Sequence, residues 1–314
     1  MKTILTVLFL ISISVGKLFA QGNEQFGINR WSEERKIELS NMMAEQFELE
    51  VLSKKNIQNE QAKVFTLPAN KENIKLSFSD GRDDATGLAD INAVLQSVGV
   101  RVSTVELPEK AKPILETSKT RALNEEEAKN LIATFHLDRA ALLNQIEKAG
   151  REPAVKNGGS ITTGEDNMAP YPKVYDMKAL SPEVTVFLQD KFGKLHVNSA
   201  DDGMGIDEVM TIVSGGPWTW FFVLPDNVVG KLTLGHVKID GLGWRISYPG
   251  LGPHGGFFDA KYGLVVAFAH GPKKFVMRYE DPGVKLDKWM GKNPWIDFSD
   301  NMPKLLDKID QVSY

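Results

Sequence analysis

Apolar positions set the first divisions of the chain. From Ser32 to about Val51, the residues Ile37, Met42, Met43, Phe47 and Val51 recur at helical spacing, with Ser32 placed as an N-cap. Residues 54–73 are polar, rich in Asn, Gln and Lys, and read as a connector with a short apolar patch at Val64–Leu67. A second helix face is marked by Leu88, Ile91, Val94, Leu95 and Val98, with Gly99 where a left-handed C-cap belongs. Val100, Val102 and Thr104 then alternate as a strand ended by Pro108. Asn124-Glu125-Glu126-Glu127 carries a capping signature for a helix through Phe135, and Asp138 opens another that ends at Gly150.

Residues 151–176 hold Pro153, Gly158-Gly159, Gly164, Pro170 and Pro172, the texture of a junction, with Tyr171 and Tyr175 packed against something. A brief helix is predicted near Ser181–Asp190. Beyond Lys194 the period changes. Short β-type runs at Trp218–Leu224, Leu232–Ile239, Trp244–Tyr248, Leu264–Ala269 and Phe275–Tyr279 alternate with Gly/Pro turns, the pattern of a sandwich or barrel. A helix over Pro303–Val312 is predicted to end the chain. The expected class is therefore α+β: residues 21–80 an extension with one helix, 81–180 mainly helical, and 181–314 a β domain with a C-terminal helix.

The first twenty residues change the compartment. Met1-Lys2, an apolar run from Ile4 to Val15 and a small residue at Ala20 have the layout of a secretory signal cleaved before Gln21, and the run is too short to span a bilayer. The expectation is an exported protein, periplasmic or secreted, with no transmembrane segment in the mature chain. Losing Lys2 and Lys17 takes the formal charge from −4 to −6, so nucleic acid is not an expected partner. The chain contains no cysteine, which removes disulfides, thiol nucleophiles and Cys-ligated metals together. None of the Gly-rich turns opens a strand–loop–helix unit, and no Gly-x-Ser-x-Gly elbow occurs.

Four of the five histidines, His196, His236, His254 and His270, lie in the β region. Lys194-Leu195-His196-Val197-Asn198 is followed by Glu208, six further residues and Gly215; Tyr248-Pro249-Gly250-Leu251-Gly252-Pro253-His254-Gly255 follows later. These two segments resemble the two sequence motifs of the cupin superfamily. The second histidine of the first motif is replaced by Asn198, the gap before Glu208 is lengthened around Asp201-Asp202-Gly203, and Pro249 and Gly250 are adjacent. The likeness covers residues 190–280. It implies a cupin-like antiparallel β-barrel with a metal set of His196, Glu208 and His254.

Alternation supports a shared site. His196 and Asn198 fall on one side of a strand, as do Glu208, Met210 and Ile212. Two imidazoles and a carboxylate leave open positions on Fe(II), Mn(II), Ni(II) or Zn(II). Asn198 is a poor ligand, better suited to orienting water or substrate. Arg245 is expected to neutralise an anionic substrate, and Tyr248 or His270 to transfer a proton. Plain packing competes for His196 and His254 and is favoured for His236, and Glu208 has a salt bridge to Arg245 or Arg278 as its alternative. Trp218 and Trp220 share a face and offer a stacking surface, against core packing as the alternative.

Two functions follow from the sequence. One is a metal-dependent, cupin-like enzyme acting on a small molecule, as oxygenase, isomerase or lyase. The other is a non-catalytic exported module that binds a ligand such as a saccharide over Trp218 and Trp220. An envelope protein without a small ligand is a third, and residues 21–180 could cover the barrel mouth, form a homodimer or extend the core.

Overall fold

The computed structural model describes residues 74–156, 163–164, 171–280 and 288–309. The signal segment and the helix expected over 32–51 lie outside the described residues. All described residues belong to one compact unit spanning 70–281 and 286–314.

The helices are short and mostly capped. They are α1 (Leu88–Leu95), α2 (Lys112–Thr117), α3 (Glu125–Thr134), α4 (Arg139–Lys148) and α5 (Pro182–Gly193). Asn124 and Glu127 form the expected reciprocal capping box on α3, and Asp138 and Ser181 cap α4 and α5 through their side-chain oxygens.

The strands are β1 (Ile74–Phe78), β2 (Ala85–Thr86), β3 (Arg101–Glu106), β4 (Thr163–Gly164), β5 (Lys173–Asp176), β6 (Val197–Ser199), β7 (Asp207–Gly215), β8 (Trp218–Val223), β9 (Val229–Leu234), β10 (Leu242–Pro249), β11 (His254–Phe257), β12 (Gly263–His270), β13 (Lys274–Arg278), β14 (Ile296–Asp297) and β15 (Lys304–Leu305). Two five-stranded sheets, ordered β11-β8-β9-β1-β2 and β3-β10-β7-β12-β5, form the body; every pairing in them is antiparallel. A third, small sheet runs β4-β13-β6. The α+β class holds. Of the barrel or sandwich expected, a closed barrel is not formed: each large sheet keeps two edges, β11 and β2 in one, β3 and β5 in the other.

Alternation along each strand divides its side chains between two packing layers. On β8, Trp218, Trp220 and Phe222 face the second sheet, where Phe222 meets Tyr248 at a ring separation of 5.6 Å. Phe221 and Val223 face the other way, into a cluster with Leu195, Phe257, Trp289, Trp295 and Ile296. The tail that supplies Trp295 is not the expected helix: among residues 303–309, β15 pairs with β14, and buried Lys231 donates to the carbonyl of Leu306 across from it. Pro303, which cannot donate to a ladder, sits at the mouth of that short strand.

The β fold also reaches further toward the N-terminus than the patterning indicates. β1 lies inside the first sheet between β9 and β2, β3 closes one side of the second, and β5 emerges from the Gly/Pro-rich junction to form its other edge. A buried ion pair joins the helical layer to the second sheet: Arg151 Nε donates to Asp207 Oδ1 at 3.0 Å, and its other nitrogens reach the Gly99 carbonyl and Ser247 Oγ. No helix among the described residues is long and apolar enough to cross a membrane.

Candidate functional site

A pocket lies between the facing sides of the two large sheets. Its walls come from both large sheets, from α5 and from the small sheet that carries β6 and β13. Its own volume is about 50 Å³; counted out through its open side into solvent, the empty space reaches about 600 Å³. Tyr171, Tyr175, Phe192, Trp220, Tyr248, Phe258 and Phe275 give it aromatic walls, and His196, Asn198, Glu208 and His254 give it one polar end. All four polar residues are at most 3 % exposed.

Local chain geometry brings those four together. His196 and Asn198 flank Val197 at the start of β6 and so share a side. A two-way backbone bridge ties His196 to His254, N to O at 2.9 and 3.0 Å. The turn bearing His254 approaches β6 closely: Asn198 N donates to the Gly250 carbonyl at 2.7 Å, and a Cβ at Gly250 would come within 2.8 Å of Asn198 O and 2.6 Å of Ile206 O. Only glycine fits there, which accounts for the Pro249-Gly250 turn of the second motif.

Both imidazoles are fixed by the backbone. Nδ1 of His196 donates to the carbonyl of Lys194 at 2.7 Å, and Nδ1 of His254 to that of Gly252 at 2.8 Å. A carbonyl only accepts, so Nδ1 carries the proton in each ring and Nε2 is the nitrogen left for other partners. Nε2 of His254 lies 3.2 Å from Oε2 of Glu208 and 3.3 Å from Asn198 Nδ2, and the two imidazole centroids are 4.6 Å apart. Burial, followed by the neighbouring charge of His254, depresses the His196 imidazole to about 3, so its ring is neutral near pH 7.

Glu208 is a buried carboxylate with three partners. Asn198 Nδ2 donates to Oε2 at 2.9 Å, the Tyr171 hydroxyl donates to Oε1 at 2.7 Å, and His254 faces Oε2. Burial alone pushes the acid up; the bond and charge of His254, with Tyr171 and Asn198, outweigh it and hold the carboxyl at about 2. Burial, then the charge on Glu208, drives the Tyr171 and Tyr248 phenols well above their ordinary value, so both stay protonated donors.

Of the residues singled out by sequence, His196, Asn198, Glu208, His254, Trp220 and Tyr248 line this pocket, and Arg245, His270, Trp218 and His236 do not. Arg245 is three residues from Tyr248, hence on the opposite sheet face, where its Nε donates to Thr211 Oγ1 at 3.1 Å. His270 opposes Asp207 while Ala269 opposes Glu208, so His270 too is turned from the pocket, fully buried. Trp218 is also fully buried, its indole N–H on the Ser214 carbonyl at 3.3 Å; with Trp220 5 % exposed, the two indoles form no open platform. His236 meets Tyr262 Oη at 2.9 Å through Nε2. Tyr171, Lys173 and Tyr175 were not expected as site residues. Their signal is an alternation through Tyr171-Pro172-Lys173-Val174-Tyr175, hidden by the surrounding prolines and glycines.

The donor types suit a divalent ion: two imidazole nitrogens, one ionised carboxylate and an Asn198 Oδ1 that is buried without a partner. Among the described residues, however, no three His, Asp or Glu side chains form a ready group for an ion. Glu208 is turned instead to its three hydrogen-bond partners.

No protein-family model matches the chain, and no curated protein sequence does. Among solved structures, acireductone dioxygenase from Bacillus anthracis with cadmium ion in active center is similar, with a TM-score of 0.42 and 16% identity over 64% of this chain and 94% of that chain. Nothing is carried over from so distant a likeness.

Proposed function

We propose that this protein is an exported, metal-dependent, cupin-like enzyme that acts on a small molecule in this pocket. The observation that carries this reading is the meeting of His196, Asn198 and Glu208 with His254 at one buried end of an aromatic pocket. Residues from two separate sequence segments are joined there by the His196–His254 backbone bridge. His196, Glu208 and His254 would hold the ion through Nε2, a carboxylate oxygen and Nε2. A divalent ion there supplies Lewis-acid polarisation of a ligand oxygen.

The chain's own groups do the remaining work. Tyr171 and Asn198 hold Glu208 ionised and in place. The aromatic walls exclude water from the polar end and strengthen its electrostatics. Tyr248, ring to ring with His254 at 4.8 Å, keeps its phenolic proton and stands beside that end as a proton donor.

The test is metal content of the purified protein beside Glu208→Ala and His254→Ala. Near-stoichiometric metal, lost in both variants that remain folded, is the expected result. A folded wild type that takes up no metal after loading overturns it. One observation favours a second reading, metal-free ligand binding: Glu208 is already satisfied by three protein partners. The same experiment separates the two.

A further inference from the structure

The second large sheet carries uncompensated positive charge on the face turned away from the pocket. Antiparallel register sets Arg245 opposite Ser103 and Ser247 opposite Arg101, so all four side chains emerge on that one face. Arg101 and Arg245 are therefore diagonal neighbours across β3 and β10, a separation within reach of long side chains. Both are partly buried. Burial depresses the Arg245 guanidinium, and no carboxylate beside it offsets that.

The acids nearby are already accounted for. Arg151, which follows α4, donates to Ser247 Oγ at 3.1 Å on the same face, and Asp207 neutralises it at 3.0 Å. Glu152, next in the chain, is pushed up to about 7 by burial alone, so no guanidinium holds it ionised. Three guanidinium groups thus meet this face with one carboxylate among them, and that one is paired. Arg245 commits Nε to Thr211 Oγ1 at 3.1 Å, which fixes the plane of its fork. Among the described residues, its two terminal nitrogens, the Arg101 guanidinium and the Ser103 hydroxyl have no partner.

Like charges held close on a partly desolvated face repel each other, and an anion between them relieves that repulsion. A planar guanidinium offers paired N–H donors that match two oxygens of one phosphate, and a serine hydroxyl adds a third donor. We propose that Arg101, Ser103 and Arg245 form an anion site on the far face of the second sheet, and that its ligand is a phosphate group. The site is separate from the pocket and does not rest on a metal there.

The experiment measures binding by calorimetry on the full-length protein as purified, with metal content determined on the same samples. Inorganic phosphate and glycerol 3-phosphate are the probes, with nitrate at matched ionic strength as the control. Both phosphates should bind at least about tenfold tighter than nitrate. Tighter binding of the ester marks an organic phosphate as the source, and equal or weaker binding marks the free ion. Arg245→Gln and Arg101→Gln should each weaken binding about tenfold; Arg245→Lys, which keeps the charge but not the fork, should recover only part of the loss. Circular dichroism establishes that each variant is folded. Four results overturn the proposal: no phosphate binding, nitrate bound as tightly, affinity unchanged in both folded glutamine variants, or affinity that follows metal content instead of the arginines.

Discussion

His254 and Glu208 face each other across 3.2 Å, both almost wholly buried, with a ring nitrogen of one against a carboxylate oxygen of the other. A proton on Nε2 makes this a charged pair, and its loss leaves two acceptors confronting each other. The pair thus needs a positive species between its members, either that proton or a bound cation. A cation that enters takes the proton's place, so metal uptake should release it and affinity should rise with pH. Calorimetry of metal binding in buffers of different ionisation enthalpy measures that release; a buffer-independent heat would contradict it.

Replacing Glu208 by Gln keeps the shape and removes the charge. His254, Asn198 and Tyr171 then surround a neutral amide, and the loss should cost about 2–3 kcal/mol of stability near pH 7. Urea unfolding checks this, with circular dichroism to establish that the fold survives. Tyr171→Phe, which deletes one 2.7 Å bond, should cost about 1–2 kcal/mol.

Acid should destabilise the protein in two stages. His196 is depressed to about 3 from an ordinary 6.5, so the unfolded chain binds the extra proton and stability declines as pH falls below 6.5. Glu208, held at about 2 against 4.5, contributes stability that is present above pH 4.5 and lost as pH falls toward 2. Urea midpoints should hold between pH 8 and about 7 and then fall toward pH 4. In His196→Asn the decline between 6.5 and 4.5 should flatten, and an unchanged slope would refute the assignment to His196.

Arg151→Met should be the most damaging single change outside the pocket. It strands the buried carboxylate of Asp207 and breaks contacts to Gly99 and Ser247, at about 3–5 kcal/mol. Arg245→Gln, by contrast, should leave metal content and the pocket's ligand affinity unchanged, because that side chain lies on the far sheet face. The same denaturation and binding assays read both outcomes.

The site was more readable than the fold around it. Period-two alternation put His196 with Asn198 and Glu208 with Met210, and a Gly/Pro turn announced His254; all of these line the pocket. The same parity already separates Arg245 from Tyr248 within one strand, whereas the turning of His270 away from Glu208 shows only once register is known. Register is a property of paired strands, and one strand's sequence does not contain it. Ile74–Phe78 escaped notice because it sits behind a long polar stretch and gains its burial from β9. Lys173 was obscured because prolines and glycines around it read as loop. In the tail, apolar residues at near-helical spacing instead serve a two-residue ladder and a cluster with Trp295.

The backbone bridge between His196 and His254 makes two distant stretches of chain behave as one arm that carries both imidazoles. Each strand holds the other's imidazole at a fixed separation before any ligand arrives, so the entropy of gathering them is spent during folding. Loosening either end should release both. Alanine at either position keeps the bridging N–H and C=O, so His196→Ala should leave His254 in place, whereas His196→Pro, with no N–H to give the His254 carbonyl, should release both imidazoles; metal content of the folded variants reads the difference.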